Sequence, residues 1–360
     1  MKRILIINTA GLGVGGITAH MLNFLEQMRP ALENGQVTVA VTGVKSQQVL
    51  HRFRGLGCML AFLPDRKKHP IAYAAALFRL MRKVRYDVIH VHGNSSTMAI
   101  ELTLAKCAGI STRIAHSHNS CCSHPAIHRL LWPAFQAAYT EGLACSESAG
   151  NWIFGSHGFA VLHNAINLKR FAFDAAIRQE YREKLGLSDD TILLGHVGNI
   201  NEQKNHSFLL QVFDVFQKTT SAALVLIGTG PLEPELRAQV ARLDLEDKVH
   251  FLGIQTDVNC WMQAMDAFVF PSKWEGLGMA LIEAQAAGLP VLASRAVPQE
   301  VKRTRCFAFL SLEQPAEEWC HVLRCLMAEH RRTGREQPTV ALRDYDIASE
   351  AEKLRHLYGV

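Results

Sequence analysis

Glu275 and Glu283 stand eight residues apart inside the stretch PSKWEGLGMALIEAQAAGLPVLAS, Pro271 to Ser294. A short apolar strand, Ala267 to Phe270, leads into it. Glycines at 276 and 278 let a loop backbone come close to a ligand. Residues 278 to 287 have helix composition and stop at Gly288, a residue suited to the position after a helix. Pro290 then opens a second buried strand, Val291 to Ala293. The loop therefore delivers the backbone N–H groups of Gly276, Leu277, Gly278 and Met279 and the positive end of a helix to one point, which suits an anion such as phosphate. A carboxylate cannot itself hold a phosphate. Glu275 and Glu283 must act beside it, and accepting hydrogen bonds from sugar hydroxyls is the chemistry such groups offer.

The pair and its surroundings, FVFPSKWEGLGMALIEAQAAGLPVLAS, resemble the E-x7-E signature of the retaining glycosyltransferases of family 4. The resemblance implies an α/β chain of the GT-B class, two Rossmann-like doubly wound domains facing across a cleft. It also implies a nucleotide-sugar donor and neither cofactor nor metal. In that family the first glutamate contacts the donor sugar and the second the ribose hydroxyls. The bland alternative is a helix with two solvated glutamates, and the glycines and flanking apolar strands speak against it.

The resemblance assigns further residues. Gly198-Asn-Ile-Asn-Glu-Gln-Lys204-Asn205 is similar to the family's G-R-x-x-x-Q-K-N turn, in which Lys204 would give a point charge to the donor diphosphate. Asn199 stands where the family usually has arginine, so one fixed cation is missing, with Lys273 and Arg295 as candidate replacements. Gly228-Thr-Gly230-Pro231 resembles the segment lining the nucleotide pocket, and main-chain groups around Ile254 are expected to read the base. Near the N-terminus, a strand at Ile4 to Ile7, a glycine loop from Ala10 to Gly16 and a helix from Ile17 form a phosphate-type turn. Its G-x-G-x-x-G lacks the acidic residue of a dinucleotide site. The family reading gives Gly15 and Gly16 to donor phosphates or acceptor. AHSHN at 115–119 resembles a loop of capsule and exopolysaccharide enzymes, where a histidine faces the donor sugar; this points to His118, with His116 as alternative. His116, His118, His124 and His128 as a metal cluster is disfavoured, because no acidic or thiolate partner has a convincing spacing.

These residues need elements to hold them. Apolar strands alternate with helices, as at Val37 to Val41, Ile71 to Val84 and Asp87 to Val91, which implies parallel, doubly wound sheets. Arg52 to Arg54 and then Cys58 to Leu63 continue the alternation. The expected division is 1–167 with the helix at about 345–360 packing back, and 168–340 as the nucleotide-sugar domain. Arg331 to Thr339 reads as polar and loose. The 360 residues are 48% hydrophobic and 20% charged, a globular composition. The N-terminal apolar run is too short for a signal peptide, and no run approaches a membrane span. Nine cysteines without a C-x-x-C fit free thiols in a reducing cytosol. A net charge of +5 does not call for nucleic acid. The stretch Cys122 to Tyr139 and the basic helix before it offer an apolar strip with cationic flanks that would rest on the inner face of a membrane; an ordinary core-packed helix is the competing reading.

The expected function is transfer of a sugar from a nucleotide diphosphate, UDP by family frequency, to a glycan or polyprenyl-diphosphate-linked acceptor in capsule, exopolysaccharide or other surface-glycan synthesis. A same-fold epimerase or phosphorylase and a non-catalytic assembly partner are the rivals. The retained Lys204, Glu275 and Glu283 argue against the last.

Overall fold

The computed structural model describes residues 2–13, 15–43, 46–119, 121–122, 124–335 and 340–360. The chain forms two units, one running to Ile166 and including Asp344–Val360, the other Asn167–Arg343.

The N-terminal unit is built on seven strands: β1 (Ile4–Asn8), β2 (Val37–Thr42), β3 (Met59–Leu63), β4 (Val88–Gly93), β5 (Thr112–Ser117), β6 (Glu141–Ala144) and β7 (Ala160–Val161). They pair in parallel in the order β3-β2-β1-β4-β5-β6-β7. β1, β2 and β4 are buried along their whole length, which is why they read as unbroken apolar runs rather than alternating ones. Successive side chains still point to opposite faces. Ile4 and Ile6 pack with Leu22, Leu25 and Leu354, while Leu5 and Ile7 pack with Tyr73, Leu77 and Leu102. The first face is covered by the helices Gly16–Met28 and Ile347–Tyr358, so the chain's last helix belongs to this unit. Residues 52–54, expected to continue the alternation of strands and helices, lie in a helix, Gln47–Gly55, which precedes β3. Ser46 caps it by accepting from Val49 N, and Val49, Leu50 and Phe53 form its buried stripe.

The C-terminal unit carries β8 (Ile192–Val197), β9 (Ala222–Ile227), β10 (Val249–Gly253), β11 (Ala267–Phe270), β12 (Val291–Ser294) and β13 (Phe307–Leu310). Their order is β10-β9-β8-β11-β12-β13, again all parallel. In each sheet the order reverses once, between β1 and β4 and between β8 and β11. Where it reverses, the segments leaving neighbouring strands part to opposite faces and open a crevice at the carboxyl ends, the place where such sheets bind ligands.

The segment read as loose, Arg331 to Thr339, begins as the end of a helix, Ala316–Thr333; residues 336–339 lie outside the described ones. All nine cysteines are free. Among the described residues no helix is long and apolar enough to cross a membrane. The helices Pro70–Val84 and Pro125–Gln136 both pack on Ala99–Ala108, and they expose Ile71, Ile127 and Leu130 together with Arg79, Arg82, Lys83 and Arg129.

Beneath these helices lies a buried ion pair. Arg66 Nε donates to Glu101 Oε1 at 2.5 Å, Arg66 Nη2 to the Thr97 carbonyl at 2.8 Å, and Tyr73 Oη to Glu101 Oε1 at 3.0 Å. Glu101 is fully buried. Removing one partner strands the other charge, so Glu101→Ala is expected to cost about 3–5 kcal/mol. Urea unfolding measures this, and a loss below about 1 kcal/mol, the range of exposed pairs, would show that the site solvates Arg66 without Glu101.

Candidate functional site

The crevice of the C-terminal unit is made by two loops. One joins β8 to the helix His206–Gln217, the other joins β11 to the helix Met279–Ala286. Lys204 from the first and Glu275 from the second meet at 2.6 Å, with side chains 15% and 7% exposed. Lys204 Nζ also lies 4.5 Å from the centre of the Phe270 ring, which adds a cation–π contact. The lysine stem runs across Gly198, where any Cβ would come within 2.9 Å of Lys204 Cε. The loops are stitched together by Lys273 N donating to Gln203 O at 2.7 Å and Gln203 Nε2 donating to Trp274 O at 2.9 Å. Ser294 Oγ, at the end of β12, donates to Ser272 O and holds the second loop from below.

The glycines of this unit divide by what surrounds them. A Cβ on Gly228 would lie 2.1 Å from Gly198 O, and one on Gly230 would lie 2.1 Å from Ile200 O. These two are required by backbone packing of the loop after β9 on the loop after β8. Gly228 N also donates to Gly253 O at 2.8 Å, and the following Ile254 is 68% exposed. Gly276 is different: it is exposed, with no heavy atom within 4 Å of a Cβ placed there. Leu277 is buried and anchors the loop. Gly278 sits at φ +84° and opens the helix, with no side chain capping it. The N–H groups at the start of that helix, including Met279, are thus not covered by a cap, and the helix end is positive.

Glu283 lies on the same helix. It is partly buried, and no cation pairs with it among the described residues; burial alone pushes its carboxyl up to about 7. His206 is lowered to about 4 by burial and by the charge of Lys204, and burial carries His196 well below its usual range. Both are neutral near pH 7, which leaves Lys204 as the cation beside Glu275. Asn199 is exposed. Of its two candidate substitutes, Lys273 is paired with Glu202 at 2.9 Å and Arg295 is exposed.

In the N-terminal unit, Gly15 and Gly16 precede the helix that follows β1. Both are exposed, with nothing within 4 Å of a Cβ; Val14, in the same loop, lies outside the described residues. His118 follows β5 and is half-buried. Around it stand His116, its alternative from sequence, and three further histidines, His20, His90 and His92. His92 Nδ1 and His118 Nε2 are 2.8 Å apart, His90 Nε2 and His116 Nδ1 3.1 Å, and His90 Nδ1 and Tyr358 Oη 2.7 Å. His20, on the helix after β1, packs edge-on against His116 and His118, each 5.0 Å away between ring centres. Burial lowers His20 to about 4 and His90 to about 3, and carries His92, His116 and His118 well below the normal histidine range. The grouping weighed from sequence is therefore redrawn: His124 is exposed, while His128 Nδ1 accepts from Ser96 N and its ring stacks on Trp152. The missed signal was H-x-H at the ends of two strands, His90/His92 and His116/His118, with His92 and His116 cross-strand partners.

Two family models match the chain. "Glycosyltransferase Family 4" covers residues 14–170 and "Glycosyl transferases group 1" covers 177–302. The EpsF protein of Bacillus subtilis is 27% identical, over 100% of this chain and 97% of its own length. The UDP-Gal:alpha-D-GlcNAc-diphosphoundecaprenol alpha-1,3-galactosyltransferase of Escherichia coli is 27% identical over 61% of this chain and 60% of its own length. Among solved structures, Anabaena Alr3699/HepE in complex with UDP and glucose superposes with a TM-score of 0.80 at 16% identity, covering 100% of both chains. WaaG, a glycosyltransferase involved in lipopolysaccharide biosynthesis, gives 0.72 at 17%, covering 99% of this chain and 100% of its own.

The raised Glu283 carboxyl makes stability depend on pH. Between an ordinary glutamate near 4.5 and its own value of about 7, the folded chain keeps a proton that the unfolded chain has lost. Stability is therefore drained as pH rises through that window and levels off above it. Glu283→Gln removes the effect, so the variant should match the wild type at pH 5 and exceed it at pH 8, by at most about 3 kcal/mol. Urea unfolding at both pH values checks this, and equal differences at the two would show that the carboxyl is ionised throughout.

Proposed function

The chain belongs to the glycosyltransferases that join a Family 4 domain to a group 1 domain in the GT-B fold, and from that premise we propose that it moves a hexosyl group from a nucleoside-diphosphate sugar onto a glycan or polyprenyl-diphosphate-linked acceptor during assembly of a surface glycan. The observation that carries this reading is the Lys204–Glu275 pair beside the uncapped loop Gly276 to Met279.

In transfer, the bond between the sugar's anomeric carbon and the diphosphate oxygen breaks, and a bond to the acceptor oxygen forms. Negative charge grows on the leaving diphosphate, and groups already aimed at it lower the barrier most. Lys204 supplies a point charge and the loop N–H groups supply dipoles. Glu275 holds Lys204 in place before donor arrives and accepts from a hydroxyl of the donor sugar. Glu283, without a cation partner, accepts from the ribose hydroxyls. The anomeric configuration is retained by attack from the face the diphosphate leaves, and a departing phosphate oxygen takes the acceptor's proton. With Lys204 and the loop N–H groups in place, no metal ion at the diphosphate is needed for this step. Support for a UDP donor comes from relatives: the Escherichia coli enzyme is named for UDP-Gal, and the HepE structures hold UDP, glucose or UDP-glucose. Support for a lipid-linked acceptor comes from that enzyme and from a Campylobacter jejuni transferase, both named for undecaprenol-diphosphate acceptors. The exposed Ile71, Ile127 and Leu130 with the basic residues around them give the N-terminal unit a face able to rest on a membrane carrying such an acceptor.

Lys204→Met and Glu275→Gln are each expected to lower transfer at least about 100-fold, with the fold intact by circular dichroism and the wild-type rate indifferent to added magnesium. Transfer is followed by mass spectrometry with a nucleotide-sugar panel and lipid extract. Undiminished turnover in either variant removes the proposed site.

A further inference from the structure

We propose that His20, His92, His116 and His118 hold a divalent transition-metal cation of the zinc class. One ligand nitrogen from each of the four lies within 4.8 Å of the others. In a tetrahedral zinc site, bonds of 2.0–2.1 Å put the nitrogens about 3.4 Å apart. To reach this spacing the wider pairs must draw together, and His92 Nδ1 and His118 Nε2, now 2.8 Å apart, must part slightly. The four come from three elements that meet where the sheet order reverses: the helix after β1, the end of β4, and the end of β5 with the residue beyond it.

Unsatisfied nitrogens point to the ligand. Neither ring nitrogen of His20, which is 4% exposed, makes a well-formed hydrogen bond, although the Asn164 side chain lies near, and Nε2 of the fully buried His116 has no partner. Asn164 lies beside His20 and His118, yet its own Oδ1 is unpaired. Each buried polar atom left so carries a desolvation penalty that nothing offsets. A cation satisfies the imidazole lone pairs, and all-imidazole sets suit zinc, copper and nickel.

The outer contacts favour the same use. If His90 Nδ1–H donates to Tyr358 Oη, then His90 Nε2 accepts from His116 Nδ1–H, and the lone pair of His116 is left on the free Nε2. Metal-bound histidines are commonly oriented in this way through their second nitrogen. On binding, the His92–His118 hydrogen bond gives way to two metal bonds. The buried Glu350, which acts electrostatically on His20, offsets part of the added charge. A cation here would clamp the start of the Gly16–Met28 helix to β4 and to the loop after β5.

The test uses the full chain, stripped with a chelator and then given zinc or cobalt alone. One equivalent should bind, read by competition with a chromophoric chelator, and cobalt should show the intense visible bands of a tetrahedral site without a thiolate charge-transfer band. His20→Gln and His116→Gln should each weaken binding by roughly 100-fold or more, given that even outer partners of a ligand are worth 10–100-fold; the exposed His51→Gln should not. Absence of stoichiometric binding, a thiolate band that brings in a cysteine such as Cys122, or full affinity in both folded variants overturns the assignment. If either variant does not fold, the wild-type stoichiometry and cobalt spectrum decide alone. Failure here leaves the donor reading untouched, because Lys204 and Glu275 belong to the other unit.

Discussion

A lysine and a glutamate held 2.6 Å apart, one on the loop after β8 and the other on the loop after β11, set the order of the C-terminal unit. The two strands are neighbours at the point where the sheet reverses. The pair therefore spans the crevice that this topology opens. Much of the nearby sequence serves it. Gly198 lacks a Cβ because the lysine stem crosses there, Gly228 lacks one because the next loop lies against Gly198, and Phe270 offers its ring to the ammonium. The ion pair also keeps two nearly buried charges from standing alone, which would be far costlier than the pair itself. Under the proposed function, an arriving diphosphate meets a cation already largely buried and already positioned.

The N-terminal unit solves a different problem at its own reversal, between β1 and β4. Five imidazoles converge there, with the buried Glu350 acting on His20, and burial keeps the rings neutral. Hydrogen bonds between rings satisfy some nitrogens and leave others open. Apolar side chains would fill the same volume without that penalty.

Much of this was legible in the sequence, for physical reasons. Strands buried on both faces must be continuously apolar, so β1, β8, β11 and β12 stood out, and glycine at a helix start marks the loop before Met279. Lys204 and Glu275 carry a sequence signal because each sits in a short motif directly after a buried strand, and the topology that makes β8 and β11 neighbours brings the two together. The packing roles of Gly228 and Gly230 were not legible, since they depend on a carbonyl from a loop some thirty residues earlier in the chain. Nor was the histidine nest. Its members lie on three elements far apart in sequence, and only the register that sets His92 against His116 brings them together.

The proposed transfer requires a nucleoside diphosphate in the C-terminal crevice at Lys204. Thermal unfolding of the full chain with a panel of nucleoside-diphosphate sugars tests this most directly, because a ligand that binds only the folded state raises the midpoint. The expected result is one base and sugar that raises the midpoint clearly above the rest, with the shift lost in Lys204→Met. A panel without any shift, or a shift that survives intact in Lys204→Met, would contradict it.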